Sequence, residues 1–169
     1  MFLACVAGEF ALAVPVAAAS IGQVHEATTK DGLRVAIKVQ YPGVRRSIDS
    51  DVDNVAALLR MANLIPQDMN ILPMLQEAKR QLHAEADYQQ EAKSLERFQG
   101  RLADDQRFET PAVIESLTTQ DVLTMTFMDG QPIDSLATRS AAERDGAAAA
   151  ILELALREVF EWGLVQTDP

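Results

Sequence analysis

The stretch 33–40 constrains this chain more than any other. It reads Leu-Arg-Val-Ala-Ile-Lys-Val-Gln and directly follows Asp31-Gly32. Val35, Ile37 and Val39 alternate with Ala36 and Lys38, the period-2 pattern of a strand with one buried face. Asp-Gly supplies the positive φ that a hairpin turn needs, so this strand folds back on 22–28. Tyr41-Pro42-Gly43 ends it. The hairpin thus carries one lysine in mid-strand, on the face opposite three β-branched residues. Such a lysine is either solvated or aimed at an anion.

The rest of the pattern grows around that hairpin. Residues 10–16 are apolar and lead into Ala17-Ala18-Ala19-Ser20, which reads as a first strand and a turn. From Ser47, the residues Ile48, Val52, Val55, Leu59 and Ala62 recur at helical spacing. Asp49, Asp51 and Asp53 fall in its first turns, where the helix dipole favours anions, and Ile65-Pro66 closes it. A second helix is expected from about 73 to 98, with Leu75, Ala78, Leu82, Glu85 and Ala92 along one stripe. Two short strands, 110–115 and 122–127, precede a turn at 128–132. An Ala/Leu-rich helix then occupies 141–162, with Ile151, Leu152, Ala155, Val159 and Trp162 near one face. Three strands, two helices, two strands and a helix make an α+β pattern, a small sheet followed by the start of a helical lobe.

Composition excludes several functions. At 169 residues and 48% apolar, the chain is long enough for one domain, or a domain and part of another. A net charge of −10 repels phosphate backbones, so no nucleic-acid partner is expected, although a local basic pocket for one nucleotide is compatible with it. The lone Cys5 rules out an intramolecular disulfide and a Cys-rich metal centre. His25 and His83 are too few for a metal site and read as structural; Met61, Met69, Met74, Met125 and Met128 read as core packing. No Lys or Arg precedes Lys30, and Gly8-Glu9 interrupts the apolar start, so neither a signal peptide nor an Arg-rich presequence is expected. No apolar run reaches the ~20 residues that span a bilayer.

Four segments carry chemistry. Residues 17–24, A-A-A-S-I-G-Q-V, fit the kinase nucleotide-loop template G-x-G-x-x-G-x-V with its first two glycines replaced by alanine. The added methyl groups restrict the backbone, so such a loop would seat phosphates differently; the competing reading is a ligand-free turn. Val35-Ala36-Ile37-Lys38 is the V-A-I-K of a third kinase strand, whose lysine reaches the α/β-phosphates and pairs with a helix glutamate. In His83-Ala84-Glu85-Ala86-Asp87-Tyr88-Gln89-Gln90-Glu91, Glu85 falls within the apolar stripe and needs a partner. Lys38 is an available cation, and Glu91, towards the Tyr88/Leu95 side, competes for it; both pairings are open. Asp168 in Gln166-Thr167-Asp168-Pro169 follows a long helix and a short apolar turn, where a kinase-type catalytic loop places its base.

In this order the segments resemble the UbiB/aarF-domain (ABC1-type) family of atypical protein-kinase-like proteins, in its ubiquinone-biosynthesis branch. The resemblance rests on S-I-G-Q-V-H from Ser20, V-A-I-K-V-Q-Y-P-G-V from Val35, the E-x-D of Glu85 and Asp87 with D-Y-Q-x-E-A after it, and the terminal Q-T-D-P. It implies a kinase-like small lobe over 1–127, an antiparallel sheet with inserted helices, and a hinge with the first helices of a large lobe over 128–169. It also implies site roles. Ala17, Ala18, Ala19 and Ser20 would form the nucleotide loop, and Lys38 would hold the phosphates of ATP or ADP. Glu91 would pair with Lys38. Glu85 and Asp87 would border the site and restrain ordinary kinase activity. Residues 125–129, Met128 among them, would form the hinge that meets adenine, and Asp168 would be the catalytic-loop acid.

The family's K-x-G-Q segment, the Asn after the catalytic Asp and the D-F-G Asp have no counterpart here. The expectation is therefore an incomplete fragment, inactive by itself, with Mg²⁺ used only in a full-length form. The alternative is a non-catalytic nucleotide-binding or scaffold fragment. Expected partners are an adenine nucleotide, ubiquinone-biosynthesis proteins or a lipid membrane surface in full-length form, and a second copy through an exposed C-terminal helix around Leu154, Val159 and Trp162. The expected locations are bacterial cytoplasm or inner-membrane face, or the mitochondrion of a eukaryote.

Overall fold

The computed structural model describes residues 15–64, 66 and 69–166. Cysteine 5 and the apolar stretch before Pro15 lie outside them, as does Asp168. The chain divides into two compact units, Met1–Met128 and Asp129–Pro169.

The first unit is built on a four-stranded antiparallel sheet of β1 (Pro15–Ala19), β2 (Gly22–Thr28), β3 (Arg34–Gln40) and β4 (Val122–Thr126), in that spatial order. The β2–β3 hairpin forms as its turn residues demand. Gly32 takes φ 88°, and Thr29 closes the loop by accepting from the Gly32 N–H and donating its own N–H to the Leu33 carbonyl at 2.9 Å. Alternation then divides β3 as expected. Val35 and Ile37 are fully buried with Ala27 and Val122, while Val39 and Ile114 pack alongside.

The expected strand at 110–115 is reduced to a single bridge, Val113 to Met125. Pro111 has no N–H to donate, and a 3-10 turn at Glu115–Leu117 pulls the chain out of register. Thr118 Oγ1 then accepts from the Thr124 N–H at 3.1 Å, a side chain doing what a strand backbone would have done.

Between β3 and β4 lie α1 (Val44–Met61), α2 (Leu72–Glu85) and α3 (Tyr88–Leu102). Helix α1 begins at Val44 rather than Ser47, because Gly43 at φ 86° turns the chain directly into it. Its three aspartates therefore fall beyond the first turn, where the dipole matters little. Two of them instead tie α1 to α2, Asp53 to Lys79 at 2.8 Å and Asp49 to His83 at 3.3 Å. The periodicity expected at α1 is only partly buried: Ile48 and Ala56 are core, whereas Val55 is 55% exposed.

The single helix expected over 73–98 is two helices. Asp87 leaves helical geometry (φ −111°, ψ 93°) and its carboxylate accepts from the Gln89 N–H, capping α3. The Gln40 amide donates to the freed Ala86 carbonyl at 2.6 Å, and the Tyr88 N–H donates to the Gln120 carbonyl at 3.1 Å. This corner rephases everything after it. Glu85, expected within an apolar stripe, is exposed at the end of α2, while the first turn of α3 faces the sheet.

In the second unit a 3-10 turn, Ile133–Thr138, leads to α4 (Ala141–Arg157), which ends in a π turn, Glu158–Trp162. Ser140 and Glu143 form a reciprocal capping box at its start. The Ser140 hydroxyl, then its backbone N–H, holds the Glu143 carboxyl below the usual carboxylate range.

Candidate functional site

Directly opposed residues in neighbouring strands share a face. Ala17, Val24, Lys38 and Leu123 are such a series, one from each strand, and so form a row across one face of the sheet. With strands ~4.8 Å apart, the Ala17 backbone lies about 10 Å from that of Lys38. Helix α3 packs on this face at the β4 side, where Tyr88, Ala92 and Leu123 make a buried cluster with Ile21, Val113 and Met125 around it.

Position 38 extends its ammonium along this wall. Lys38 Nζ donates to both carboxylate oxygens of Glu91, at 2.7 and 2.9 Å, and lies 4.8 Å from the centre of the Tyr88 ring. The pair is partly desolvated, with the Lys38 side chain 21% exposed and Glu91 38%. Tyr88 and Glu91 are three residues apart on α3, so the helix offers a ring and a carboxylate to one cation. Burial, and then the Glu91 charge, pushes the Tyr88 phenol well above its ordinary range, so the ring stays neutral.

Of the two glutamates open as partners of Lys38, the fold brings Glu91 to it. Asp87 serves as the α3 cap. Its partial burial pushes the carboxyl up, but hydrogen bonds from the Gln90 side chain, the Gln89 backbone, the Gln120 side chain and the Gln90 backbone outweigh burial and hold it below its ordinary value.

The alanine segment differs from the loop expected of it. Ala17, Ala18 and Ala19 are paired residues of β1, and only Ser20 and Ile21 form the turn. Alanine lacks the glycine freedom that would keep this backbone out of a regular ladder. Gly22, in turn, is needed by the sheet. A Cβ there would press into the Val39 carbonyl oxygen and stand 2.9 Å from its carbon and 3.1 Å from Gln40 Cα.

At the far end of the unit, Met125 and Thr126 belong to β4 rather than to a free hinge, and the Phe127 N–H donates to the Arg34 carbonyl at 3.1 Å. Met128 is half-buried and ends the first unit. Two contributors escaped sequence reasoning, Gln40 and Tyr88. The first shares the Lys38 face two residues on, and the second stands three residues before Glu91; those spacings were the available signals.

A small antiparallel sheet whose third strand sends a lysine to a glutamate on a packed helix is the small lobe of a protein-kinase-like fold. The model of the ABC1 atypical kinase-like domain matches residues 9–169, and the chain belongs to that family. It is 43% identical over 155 residues to atypical kinase coq-8, mitochondrial, of Caenorhabditis elegans, covering 92% of this chain and 20% of that protein. It is 46% identical over 156 residues to atypical kinase COQ8B, mitochondrial, of Rattus norvegicus, covering 92% of this chain and 30% of that one. Among solved structures, Rv3197 of Mycobacterium tuberculosis, determined as a complex with erythromycin, superposes with a TM-score of 0.72 at 27% identity, over 89% of this chain and 38% of that one. The chain therefore spans about a fifth to a third of the length of these curated relatives.

Proposed function

We propose that this chain is the nucleotide-holding part of an atypical kinase-like phosphotransferase or ATPase that supports ubiquinone biosynthesis. The observation that carries this reading is the two-oxygen clasp of Lys38 by Glu91, on a sheet face to which the outer strand contributes Ala17 and Ala19. An ammonium set against a carboxylate and a ring has few orientations left, and can turn from Glu91 to a phosphate without a long search. In this reading Lys38 binds the phosphates of ATP or ADP and Glu91 orients it. Ala17, Ala18, Ala19 and Ser20 cover the nucleotide as a strand and its turn, Glu85 and Asp87 border the approach, and Met128 meets adenine. Asp168 is the catalytic-loop aspartate, the base of phosphoryl transfer.

A nucleotide is compatible with this face, because Ala17, in the Lys38 row, is exposed and Ala19, two residues on, is half-buried, and neither carries more than a methyl group. Among the described residues no three or more His, Cys, Asp or Glu side chains gather to hold a cation. A magnesium ion would be carried by nucleotide oxygens and water. The names of the relatives favour a mitochondrial location if the source is eukaryotic; for a bacterial source this reading goes with the cytoplasm or the inner-membrane face. Lipid surfaces and ubiquinone-biosynthesis proteins are the partners this family reading entails. Among the described residues no helix is long and apolar enough to cross a membrane.

The test is a thermal shift with ATP. At about a hundredfold excess over Kd, binding adds about 2.7 kcal/mol, or about 5–10 °C for a chain of this size. Lys38→Ala should remove that shift while leaving the melt of the free protein cooperative. An equal shift in wild type and Lys38→Ala, or none in either, would sink the reading.

A further inference from the structure

We infer that Tyr88 is a positioning residue for Lys38: its ring face is a second support that holds the ammonium in the cleft when Glu91 lets go. This rests on the nucleotide-holding reading above and adds to it a residue with no counterpart in the lysine–glutamate pair.

The starting point is a weakness of that pair. A partly exposed ion pair contributes little by itself, and a lysine has a flexible four-carbon stem whose rotamer freedom works against any single pose. When a phosphate competes for the ammonium, Glu91 is the contact exchanged. Something else must keep the amine pointing along the sheet during the exchange.

Tyr88 is built for this. Its side chain is fully buried, seated against Leu123, the residue directly opposite Lys38 on β4. The Lys38 nitrogen lies 4.8 Å from the ring centroid, within cation–π range. Ala92, the next small residue on that face of α3, is part of the same cluster. The hydroxyl does not account for the residue's placement, because it is buried and has no hydrogen-bond partner among the described residues. What Tyr88 offers the site is therefore its face. A neutral ring also cannot compete with phosphate for the proton or the charge of Lys38, as a second carboxylate would.

The experiment uses the 169-residue chain and reads the Lys38 ε-methylene protons by NMR, assigned by their disappearance in Lys38→Ala. In wild type these protons should be shifted upfield by the ring. Tyr88→Phe should retain the shift and Tyr88→Leu should abolish it. ATP titration should then give about fivefold weaker binding for Tyr88→Leu, the size expected for one cation–π contact, with Tyr88→Phe rescuing affinity. Circular dichroism melts show whether each variant is folded, and Tyr88→Met offers a second ring-free variant if the leucine is not tolerated.

Unshifted ε-protons in the wild type would overturn the proposal, as would a folded ring-free variant that binds ATP like wild type. Wild type that shows the ring shift but binds no ATP would instead overturn the nucleotide reading and leave the ring contact standing.

Discussion

Lys38 was legible in the sequence because a strand fixes side-chain direction by parity alone. Once 35–39 alternates, position 38 cannot share a face with Val35, Ile37 and Val39. Its acceptor was not legible to the same degree, since the choice between Glu85 and Glu91 depended on a helix break. The pair makes a prediction that separates function from folding. Glu91→Gln should weaken ATP binding about tenfold, near 1.4 kcal/mol, because the ammonium loses its orienting charge. The same change should lower the unfolding free energy measured in urea by less than about 1 kcal/mol, because the pair is partly open to solvent. A large stability loss with unchanged affinity would reverse the assignment.

Gly22 teaches the opposite lesson. Within the A-A-A-S-I-G-Q-V segment it reads as the surviving glycine of a phosphate loop, yet here it lets β2 approach the Val39 carbonyl. Gly22→Ala should therefore cost about 1–3 kcal/mol in urea unfolding, as overpacking does, whether or not nucleotide is present.

Elements were legible where local pattern and tertiary contact agree. The β2–β3 hairpin and α4 follow from turn chemistry and periodicity. The α2–α3 corner does so only in part, because 75–92 carries a helical stripe through it and the break takes contacts from distant segments as well as the local Asp87 cap. The Gln40 amide reaches Ala86 across 46 positions, and Gln120 accepts from Tyr88 across 32. The strand expected at 110–115 failed for a local reason, since Pro111 lacks an N–H and the hydroxyls of Thr119 and Thr118 take up the Val122 and Thr124 N–H groups.

The cap at that corner is testable. Asp87→Ala should cost about 1 kcal/mol at pH 7, the usual loss for a helix N-cap. The folded-state pKa of Asp87 is lowered, so its stabilisation is complete above the ordinary aspartate value of about 4 and is lost as pH falls through the lower folded value. The stability gap between wild type and Asp87→Ala should therefore be full at pH 7 and shrink towards pH 2. A gap that grows on acidification would mean that Asp87 is not acting as an ionised cap. Because the corner sets the phase of α3, the variant should also bind ATP more weakly, by misaiming Glu91.

At the scale of the whole chain, apolar exposure is the feature that most needs an explanation. On α4 and its π turn, Leu152 is 63% exposed, Leu156 50%, Val159 53% and Phe160 79%. Their spacing of four, three and one residues makes a continuous stripe along one side. The sequence-based expectation centred this stripe on Leu154, Val159 and Trp162. Only Val159 among them is exposed, because the π turn carries Trp162 back to lie 4.9 Å from the Arg157 guanidinium, and Leu154 is half-buried. Contiguous apolar surface of this kind associates with something. In a solution of this chain alone, the available partner is another copy. The net charge of −10 opposes close approach, so salt matters to the outcome. Light scattering over a concentration series should give a weight-average mass that rises with concentration, and rises more steeply at high ionic strength as charge repulsion is screened. Leu152→Glu combined with Phe160→Glu should return the mass to that of one chain without moving the ATP-induced thermal shift, because neither residue belongs to the sheet face that holds Lys38. A concentration-independent monomer in the wild type at both ionic strengths would show that the stripe is not an association surface. Loss of the thermal shift in the double variant would show that this stripe bears on nucleotide binding after all.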